Sequence, residues 1–313
     1  MLQYLIILLG DASTSYCHFE NKKETNNLMP LDTLREAIRY AMLENLMIQF
    51  VYPKDSLPKE YTELIESIDH SKIKPMGAPK LEEADVIVLD TLEDFIPIAD
   101  KAYVLRQDKK SFFSTKEEIG KILGAVTRLN VVITDLENMT EEELTKYRET
   151  LDYLADVAEK EYVAGKSPQL NLLTDRMMLD KMNNCDAGWK NITLAPNGKF
   201  YICPAFYHED ETDCIGNIEK GLDIKNSQLY RLDHAPLCRI CDAYQCKRCV
   251  WLNRKTTLEV NTPSHEQCVA AHHERNASRR LLNSIRKHGT FLPERDEIKQ
   301  IDYLDPFDVR QKW

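Results

Sequence analysis

Residues 238–249 read CRICDAYQCKRC, and this stretch governs how the rest of the chain is interpreted. It holds two Cys-x-x-Cys pairs with four residues between them. Thiolates are soft ligands that suit zinc and iron–sulfur clusters. Zinc ribbons usually separate such pairs by about fifteen to twenty residues, so the short spacing favours ligands shared between adjacent iron–sulfur clusters. A structural zinc site is one alternative, and buried cysteines that bind no metal are another.

Further cysteines extend this pattern on both sides. Cys185 is followed by twelve residues, Gly198, four residues and Cys203, and Cys268 lies C-terminal to the stretch. Asn197-Gly198 lies between two β-rich runs, which predicts a hairpin that brings Cys185 and Cys203 together. The patterned set is Cys185, Cys203, Cys238, Cys241, Cys246, Cys249 and Cys268.

The patterned set resembles the SPASM domain, the auxiliary-cluster domain of radical SAM peptide-maturing enzymes. The resemblance covers residues 185–268, and segments 200–204 and 215–218 also look like parts of that domain. It implies two four-iron clusters with interleaved ligands. Cys214 is the candidate fourth ligand of the first cluster; otherwise that position is open to substrate or solvent, and Cys214 is an unliganded thiol on a strand. The implied ligands are Cys185, Cys203 and Cys249 for the first cluster, and Cys238, Cys241, Cys246 and Cys268 for the second.

The N-terminal half alternates predicted strands and helices. Apolar runs typical of buried parallel strands lie at 4–9, 47–52, 86–89, 102–105, 130–133 and 170–173. Helical patterns lie at 31–46 and 61–68, from an N-cap at Ser114 to residue 123, and from a Thr140/Glu143 capping box to residue 160. This alternation predicts an α/β fold with a mainly parallel sheet, either open or curled into a partial barrel.

The SPASM resemblance decides between these two sheets and implies a domain division. The expected fold class is α/β, with a partial (β/α) barrel of the radical SAM type followed by a small cysteine-rich SPASM-like domain. The expected boundaries are 1–180 for the degenerate barrel, 181–275 for the iron–sulfur domain and 276–313 for a C-terminal helical tail.

The expected SAM-binding motif is incomplete. The family places CxxxCxxC after the first strand, and residues 15–19, SYCHF, resemble its end with Cys17 as the last cysteine. Gly10 and Thr14 occupy the two earlier cysteine positions. The family's glycine-rich, acid-containing segment after the second strand is also missing, because residues 52–56 read YPKDS. The resemblance therefore implies a degenerate SAM site. The same N-terminal stretch resembles the narrower group of CXXX-repeat peptide maturases.

Histidines and basic residues give weaker signals. His272 and His273 are predicted at the solvated start of a helix, with metal ligation as the alternative, and His208 is predicted at the surface. A basic stripe on a predicted helix is either a solvated face or a docking surface for an acidic peptide. The stripe comprises Arg275, Arg279, Arg280, Arg286 and Lys287.

Charge and cysteine usage exclude several classes of protein. The net charge is −10, divided as +4 from residue 238 onward and −14 before it, which argues against a general nucleic-acid binder. Residues 1–9 are too short to span a bilayer and lack the features of an export signal. Clustered cysteines without such a signal indicate a reducing cytoplasm. The sequence has no phosphate-binding glycine loop, nucleophile elbow or HExxH motif.

These observations predict a maturation protein for a ribosomally made, cysteine-rich peptide (a RiPP precursor). We expect it to carry two 4Fe–4S clusters, to leave SAM uncleaved and to act with a partner modification protein. An active redox or radical peptide-modifying enzyme and a zinc-stabilised, non-catalytic adaptor are the alternatives. Neither nucleic acid nor a membrane is an expected partner.

Overall fold

A computed structural model describes residues 2–93, 95–300 and 304–306 of the chain. The strands are β1 Tyr4–Leu8, β2 Met47–Val51, β3 Ser71–Pro75, β4 Val86–Leu89, β5 Ala102–Gln107, β6 Arg128–Ile133, β7 Gln169–Leu170, β8 Asn191–Leu194, β9 Phe200–Tyr201, β10 Gly216–Asn217 and β11 Gly221–Leu222. The α-helices are α1 Leu31–Leu43, α2 Lys59–Ile65, α3 Lys109–Ser114, α4 Lys116–Leu123, α5 Glu141–Val163, α6 Asp175–Met178, α7 Pro204–Glu209, α8 Val250–Thr257 and α9 His265–Ile285.

The chain divides into two compact units, and each is built from two stretches of sequence. Unit 1 comprises Met1–Leu89 and Cys185–Ala235, and unit 2 comprises Asp90–Asn184 and Pro236–Trp313. The predicted division at residues 180 and 275 remains a prediction. Helix α9 runs continuously across the second of these positions. Residues 301–303 and 307–313 of the predicted tail lie outside the described residues.

Unit 1 is built on strands in the order β4-β3-β2-β1-β8-β9. All neighbours in this order are parallel except β8 and β9, which form an antiparallel hairpin. Gly198 has a φ of 74°, which a glycine adopts without strain in this turn. The hairpin agrees with the sequence-based prediction. Residues Leu5 to Leu8 of β1 are all buried, as expected for a central parallel strand.

Strand β3 has no counterpart in the sequence-based prediction, because its sequence SKIKP has a polar pattern. Lys72 and Lys74 are nevertheless only 7% and 4% exposed. Lys72 forms ion pairs with Glu66 and Glu83. Lys74 donates hydrogen bonds to the carbonyls of residues 79 and 80 at 3.1 and 3.0 Å. Partners outside the strand, five to eleven residues away along the chain, therefore satisfy the two buried ammonium groups.

Unit 2 combines the parallel strands β7-β6-β5 with the long helices α5 and α9, which pack against each other. The predicted capping box at Thr140 is present: its backbone N–H donates to Glu143 Oε2 at 2.8 Å, and its hydroxyl accepts from the Glu143 N–H at 3.3 Å. Ser264 and Gln267 form the same device at the start of α9. Two long helices thus begin at positions fixed by local sequence.

Other predicted boundaries were wrong. Ser114 ends α3 rather than capping a helix, and Asp108 is the residue whose side chain caps α3. The predicted strand at 170–173 stops at Leu170, whose backbone groups bond the Thr174 hydroxyl in a turn. Helix α1 ends at residue 43 rather than 46, because Asn45 has a left-handed φ of 54°. Among the helices of the described residues, none is both long and apolar enough to cross a membrane.

Candidate metal centre

The cysteine loop at 238–249 lies in unit 2 and is shaped by tight turns. A 3₁₀ turn spans Cys238–Ile240, and the Cys241 N–H donates to the Cys238 carbonyl at 3.2 Å. The Cys246 N–H donates to the carbonyl of Ala243 at 3.0 Å. The Ala243 N–H points at Cys241 Sγ, 3.4 Å away, as backbone amides do around metal-bound thiolates.

These turns bring three of the predicted ligands to one cavity of about 30 Å³. Helix α9 contributes the fourth, Cys268, together with a histidine one turn further along. The four thiols are the complete ligand set predicted for the second cluster, and their role as ligands stays a prediction. The cavity is lined by Cys238, Cys241, Cys246 and Cys268, with His272, Met182, Leu237, Ala243, Arg248, Pro263, Gln267, Ala271 and Pro306.

The donor set of this cavity fits an iron–sulfur cluster. A cluster binds each thiolate at a separate iron, so its ligands are spread around a volume. A structural zinc ion instead needs four donors around one point. Among the described residues, no three Cys, His, Asp or Glu side chains already surround a single ion. The thiols that line this cavity suit a soft metal, and the choice between an iron–sulfur cluster and zinc stays a prediction.

Burial keeps these thiols protonated when they bind no metal. It raises the pKa of Cys238 to about 11 and raises those of Cys241, Cys246 and Cys268 above the usual thiol value. Since metals bind the thiolate, loading the site must release protons, and metal affinity must fall as the pH falls. Thiols with raised pKa values are also poor nucleophiles, which argues against a thiol-based catalytic site.

An ion pair fastens the loop to α9. Arg275 is fully buried, and its Nε and Nη2 donate to the two carboxylate oxygens of Asp242 at 2.6 and 2.8 Å. Arg176 adds a contact to the same carboxylate at 3.3 Å. Asp242 lies next to Cys241, so this two-point contact fixes the loop beside a thiol. Sequence reasoning placed Arg275 on a solvated stripe and gave Asp242 no role.

A second anchor passes through a buried carboxyl group. Gln245 Nε2 donates to the Ala271 carbonyl at 2.7 Å and to Glu274 Oε2 at 3.3 Å. The Tyr147 hydroxyl donates to the other Glu274 oxygen at 2.6 Å. Burial raises the pKa of Glu274 to about 7, although both hydrogen bonds lower it. The sequence gave no signal for Tyr147, because it lies on α5, far from the cysteines.

The rest of the predicted basic stripe is used inside unit 2. Arg280 pairs with Asp152 and Asp156 on α5 at 3.0 and 2.8 Å. Arg286 donates to backbone carbonyls of residues 291, 292 and 295. Arg279 lies 3.9 Å from Glu297. Arg280 and Lys287 are exposed, as expected for a solvated face, whereas Arg275 is buried. The docking surface for an acidic peptide stays a prediction.

The histidine predictions were wrong. His272 and His273 lie within α9 rather than at a solvated helix start, and they are 4% and 7% exposed. His208 lies on α7, 9% exposed, and stacks on Phe19 with ring centroids 5.4 Å apart. Burial, with a contribution from Lys23, lowers the pKa of His208 to about 4. Helix faces that pack on distant elements cannot be identified from neighbouring residues alone.

Unit 1 holds other cysteines of the predicted set. Cys185 is exposed, and Cys203 is the residue that precedes α7. Tyr16 has a pKa raised by burial and then by Cys17, Cys203 and Cys185, so these thiols lie near its phenol. Cys214 is exposed and precedes β10 rather than lying on a strand. Cys249 precedes α8 in unit 2. The role of the first set remains a prediction.

The closed loop of unit 1, residues 10–29, is where the resemblance predicts the SAM motif. Gly10 forms a β-bridge with Leu28. A Cβ at position 10 would lie 3.1 Å from the carbonyl oxygen of Asn27 and 3.2 Å from Leu28 Cδ2. The Thr14 N–H donates to the carbonyl of Tyr52 at 3.0 Å. Backbone atoms therefore pack directly against position 10, the first cysteine position of the expected motif.

Asp11 organises the same loop through a buried carboxylate. It accepts hydrogen bonds from the hydroxyls of Tyr207 and Thr25, both at 2.6 Å, and from Asn27 Nδ2 at 3.0 Å. Burial alone would raise the pKa of Asp11, but these hydrogen bonds outweigh it and lower the pKa. The loop is thus held by polar contacts within the protein.

Comparison with known proteins supports the fold. No family model and no curated protein matches the sequence. The chain is similar to polyhistidine-tagged anSMEcpe with bound AdoMet, with a TM-score of 0.61, 12% identity, and coverage of 92% of this chain and 96% of that one. Native anSMEcpe with bound AdoMet and Cp18Cys peptide gives 0.60, 12%, 92% and 100%. Native anSMEcpe with bound AdoMet and Kp18Cys peptide gives 0.60, 13%, 91% and 99%. This similarity confirms the predicted α/β fold class with a mainly parallel sheet, which the chain shares with anSMEcpe.

Proposed function

We propose that this chain is a maturation protein for a ribosomally made, cysteine-rich peptide, that it carries iron–sulfur clusters, and that it leaves SAM uncleaved. The observation that carries the proposal is the cavity at which Cys238, Cys241, Cys246 and Cys268 meet. Four thiols gathered around one largely apolar cavity suit metal binding. The sequence predicts four-iron clusters, one at this cavity and one at Cys185, Cys203 and Cys249, with Cys214 as the candidate fourth ligand.

Residues of the chain would hold and protect the cluster. When bound, a cluster supplies one-electron transfer. The Asp242–Arg275 pair and the Gln245–Glu274 contact hold the loop against α9 and so orient the thiols toward the cavity. The Ala243 N–H supplies a hydrogen bond to Cys241 Sγ. The largely apolar lining excludes water from the sulfur atoms.

The closed loop in unit 1 supports the absence of SAM cleavage. A cluster that binds SAM through an open iron needs three protein thiolates, and Gly10 and Thr14 replace two of them. Gly10 is packed against residues 27 and 28, and Asp11 is hydrogen-bonded by side chains of unit 1. Neither feature provides soft ligands in place of the lost cysteines.

The peptide substrate is inferred from the fold and the sequence resemblance together. Structures of anSMEcpe, which has a similar fold, contain bound AdoMet and peptides. A CXXX-repeat peptide is the candidate substrate of this chain, and a separate modification protein is the candidate source of the chemistry. Binding of a synthetic repeat peptide to the metal-loaded chain, measured by calorimetry, tests this part. A serine-for-cysteine version of the peptide is the matched control.

Metal analysis is the decisive experiment. Protein expressed and purified without oxygen, with iron supplied, should contain iron and acid-labile sulfide in similar amounts, up to roughly eight irons for two four-iron clusters. Stoichiometric zinc without sulfide would instead support the adaptor. Incubation with SAM and a strong reductant should yield no 5′-deoxyadenosine above the background of the Cys17→Ala variant. Formation that depends on Cys17 would restore the radical enzyme.

A further inference from the structure

Arg248 contributes a charged side chain to the unit 2 cavity. It lies between Cys246 and Cys249 in the cysteine loop and is only 2% exposed. Among the described residues that line the cavity, it alone carries a permanent charge, because a guanidinium stays protonated in proteins. The other lining side chains are apolar, thiol, amide or imidazole groups. A buried cation therefore borders the same space as the four thiols.

The backbone of Arg248 has a conformation that is unusual for an arginine. Its φ is 44°, in the left-handed region that favours glycine, so the backbone is strained at this position. Burial raises the pKa of Cys246, and a hydrogen bond from the Arg248 N–H lowers it in part. A glycine would form the same turn with less strain, which indicates that the buried side chain has a role of its own.

The guanidinium acts electrostatically on the thiols of the cavity. Burial raises the pKa of Cys238 to about 11, and the charge of Arg248 lowers it in part. Neutral thiols gain little from a nearby cation, whereas thiolates bound to metal are negative and interact with it strongly at a buried site. The charge of Arg248 therefore matches the metal-bound state of the cavity better than the metal-free state.

Carboxylates close to the cavity are engaged by other cations. Asp242 pairs with Arg275, and Asp305 contacts His265. Neither carboxylate belongs to a residue that lines the cavity among the described residues. The charge that borders the sulfur atoms directly is thus positive.

We propose that Arg248 supplies the counter-charge for a cluster in the unit 2 cavity and raises the reduction potential of that cluster. This inference rests on the proposed iron–sulfur function and names the residue that sets a redox property of the site. Four thiolates make a four-iron cluster negative overall. Reduction adds one electron from an external reductant, breaks no bond and makes the charge more negative. A fixed cation beside the cluster therefore stabilises the reduced form more than the oxidised form.

The test compares the full-length wild-type protein with Arg248→Gln, Arg248→Lys and Lys247→Gln. The first variant removes the charge and the second keeps it. Lys247→Gln is the matched control, because it removes the neighbouring charge, which pairs with Asp175 and does not line the cavity. Each protein is loaded with iron and sulfide without oxygen, analysed for iron and titrated reductively with dithionite while EPR spectra are recorded. The signal that Cys268→Ser lacks identifies the unit 2 cluster.

We expect the potential of the unit 2 cluster to fall in Arg248→Gln. The ratio of reduced to oxidised cluster at a fixed potential should drop at least about tenfold, or about 59 mV for a one-electron couple. Arg248→Lys and Lys247→Gln should stay close to wild type. An equal fall in Arg248→Lys would show that the charge is not responsible, and an equal fall in Lys247→Gln would show that the position is not. Either result would overturn the inference.

Two further outcomes separate this inference from the proposed function. An unchanged potential in Arg248→Gln, with wild-type iron content, would overturn the inference and leave the proposed function intact. A wild-type protein that takes up no iron and sulfide at the unit 2 cavity would overturn both. Should Arg248→Gln fail to load, Arg248→Lys decides: loading with a wild-type potential supports the role of the charge, and failure to load overturns it.

Discussion

The closed loop of unit 1, residues 10–29, and the thiol cavity of unit 2 differ in the metal ligands that each contains. In the loop, two expected cysteine positions are Gly10 and Thr14, and backbone packs directly against the first. In the cavity, four thiols and an imidazole surround open space of about 30 Å³. Contacts within the protein hold the loop, whereas the cavity gathers soft donors of the kind that metals bind.

The two regions are also stabilised in different ways. Hydrogen bonds to the Asp11 carboxylate stabilise the loop. The cavity is supported from outside by Asp242–Arg275 and Gln245–Glu274, and these contacts leave its interior to the sulfur atoms. Experiments that remove metal should therefore affect the two regions very differently.

The largest effect should come from Cys246→Ser. Metal binding contributes to folding in small metal modules, with binding free energies of the order of 10 kcal/mol. We expect loss of iron from the unit 2 site and faster proteolysis within residues 236–300. Cys17→Ser is the control, because Cys17 belongs to neither predicted ligand set. Unchanged iron content and protease resistance in Cys246→Ser would show that the cavity is not a metal site.

The second effect concerns Glu274, whose folded pKa of about 7 lies above the ordinary glutamate value of 4.5. Between these values the folded state binds more protons than the unfolded state, so stability falls as the pH rises from 4.5 through 7. The loss should be at most about 3 kcal/mol. Denaturant titrations should show the stability of wild type falling relative to that of Glu274→Gln as the pH rises across this range, whatever slope the buried histidines add to both proteins.

Glu259→Gln is the control for this titration, since Glu259 is exposed. Two charged groups shift the pKa of Glu274: Lys247 lowers it and Asp175 raises it. A difference in stability between wild type and Glu274→Gln that stays constant from pH 4.5 to 7 would exclude a neutral carboxyl beneath the cysteine loop.

A smaller effect should follow from Asp11→Ala in the loop. The substitution removes three hydrogen bonds to a carboxylate, and we expect a loss of about 2 kcal/mol in the free energy of unfolding. Metal content should not change, because the loop is held by protein contacts. Asp32→Ala, at a side chain 94% exposed, is the control. Iron loss in Asp11→Ala would contradict the separation of the two regions.

The smallest effect on stability should come from Gly10→Cys combined with Thr14→Cys, which restores the CxxxCxxC spacing. The new Cβ at position 10 would lie 3.1 Å from a backbone oxygen, so we expect a cost of about 1 kcal/mol. We also expect no 5′-deoxyadenosine from SAM, in contrast to a loop that only lacks thiols. Thr14→Cys alone separates the two substitutions. SAM cleavage by the double variant would show that the loop still accommodates a cluster.

Local patterns predicted much of the fold and the four cysteines of the cavity. The Thr140 capping box, the hairpin around Gly198 and the apolar strand β1 depend on neighbouring residues, and the structure contains all three. The cysteine spacing likewise grouped Cys238, Cys241, Cys246 and Cys268 correctly at one cavity.

Contacts that an element makes with residues outside itself were beyond the reach of the sequence pattern. Strand β3 was missed because two lysines interrupt its apolar pattern, and only Glu66, Glu83 and carbonyls 79 and 80 make their burial tolerable. His208 and His272 were placed at the surface because the rings and carbonyls they contact lie far along the chain. The buried Arg275 was missed for the same reason.

Residues 304–306, which lie beside the cavity, are synthesised after all four of its thiols. Pro306 lines the cavity and the Leu304 carbonyl contacts His272, yet both follow the last thiol by more than thirty residues. During synthesis, all four thiols exist before the segment that covers them. If the cavity holds a cluster as proposed, its four thiols are available to iron and sulfide before residues 304–306 take their places beside them.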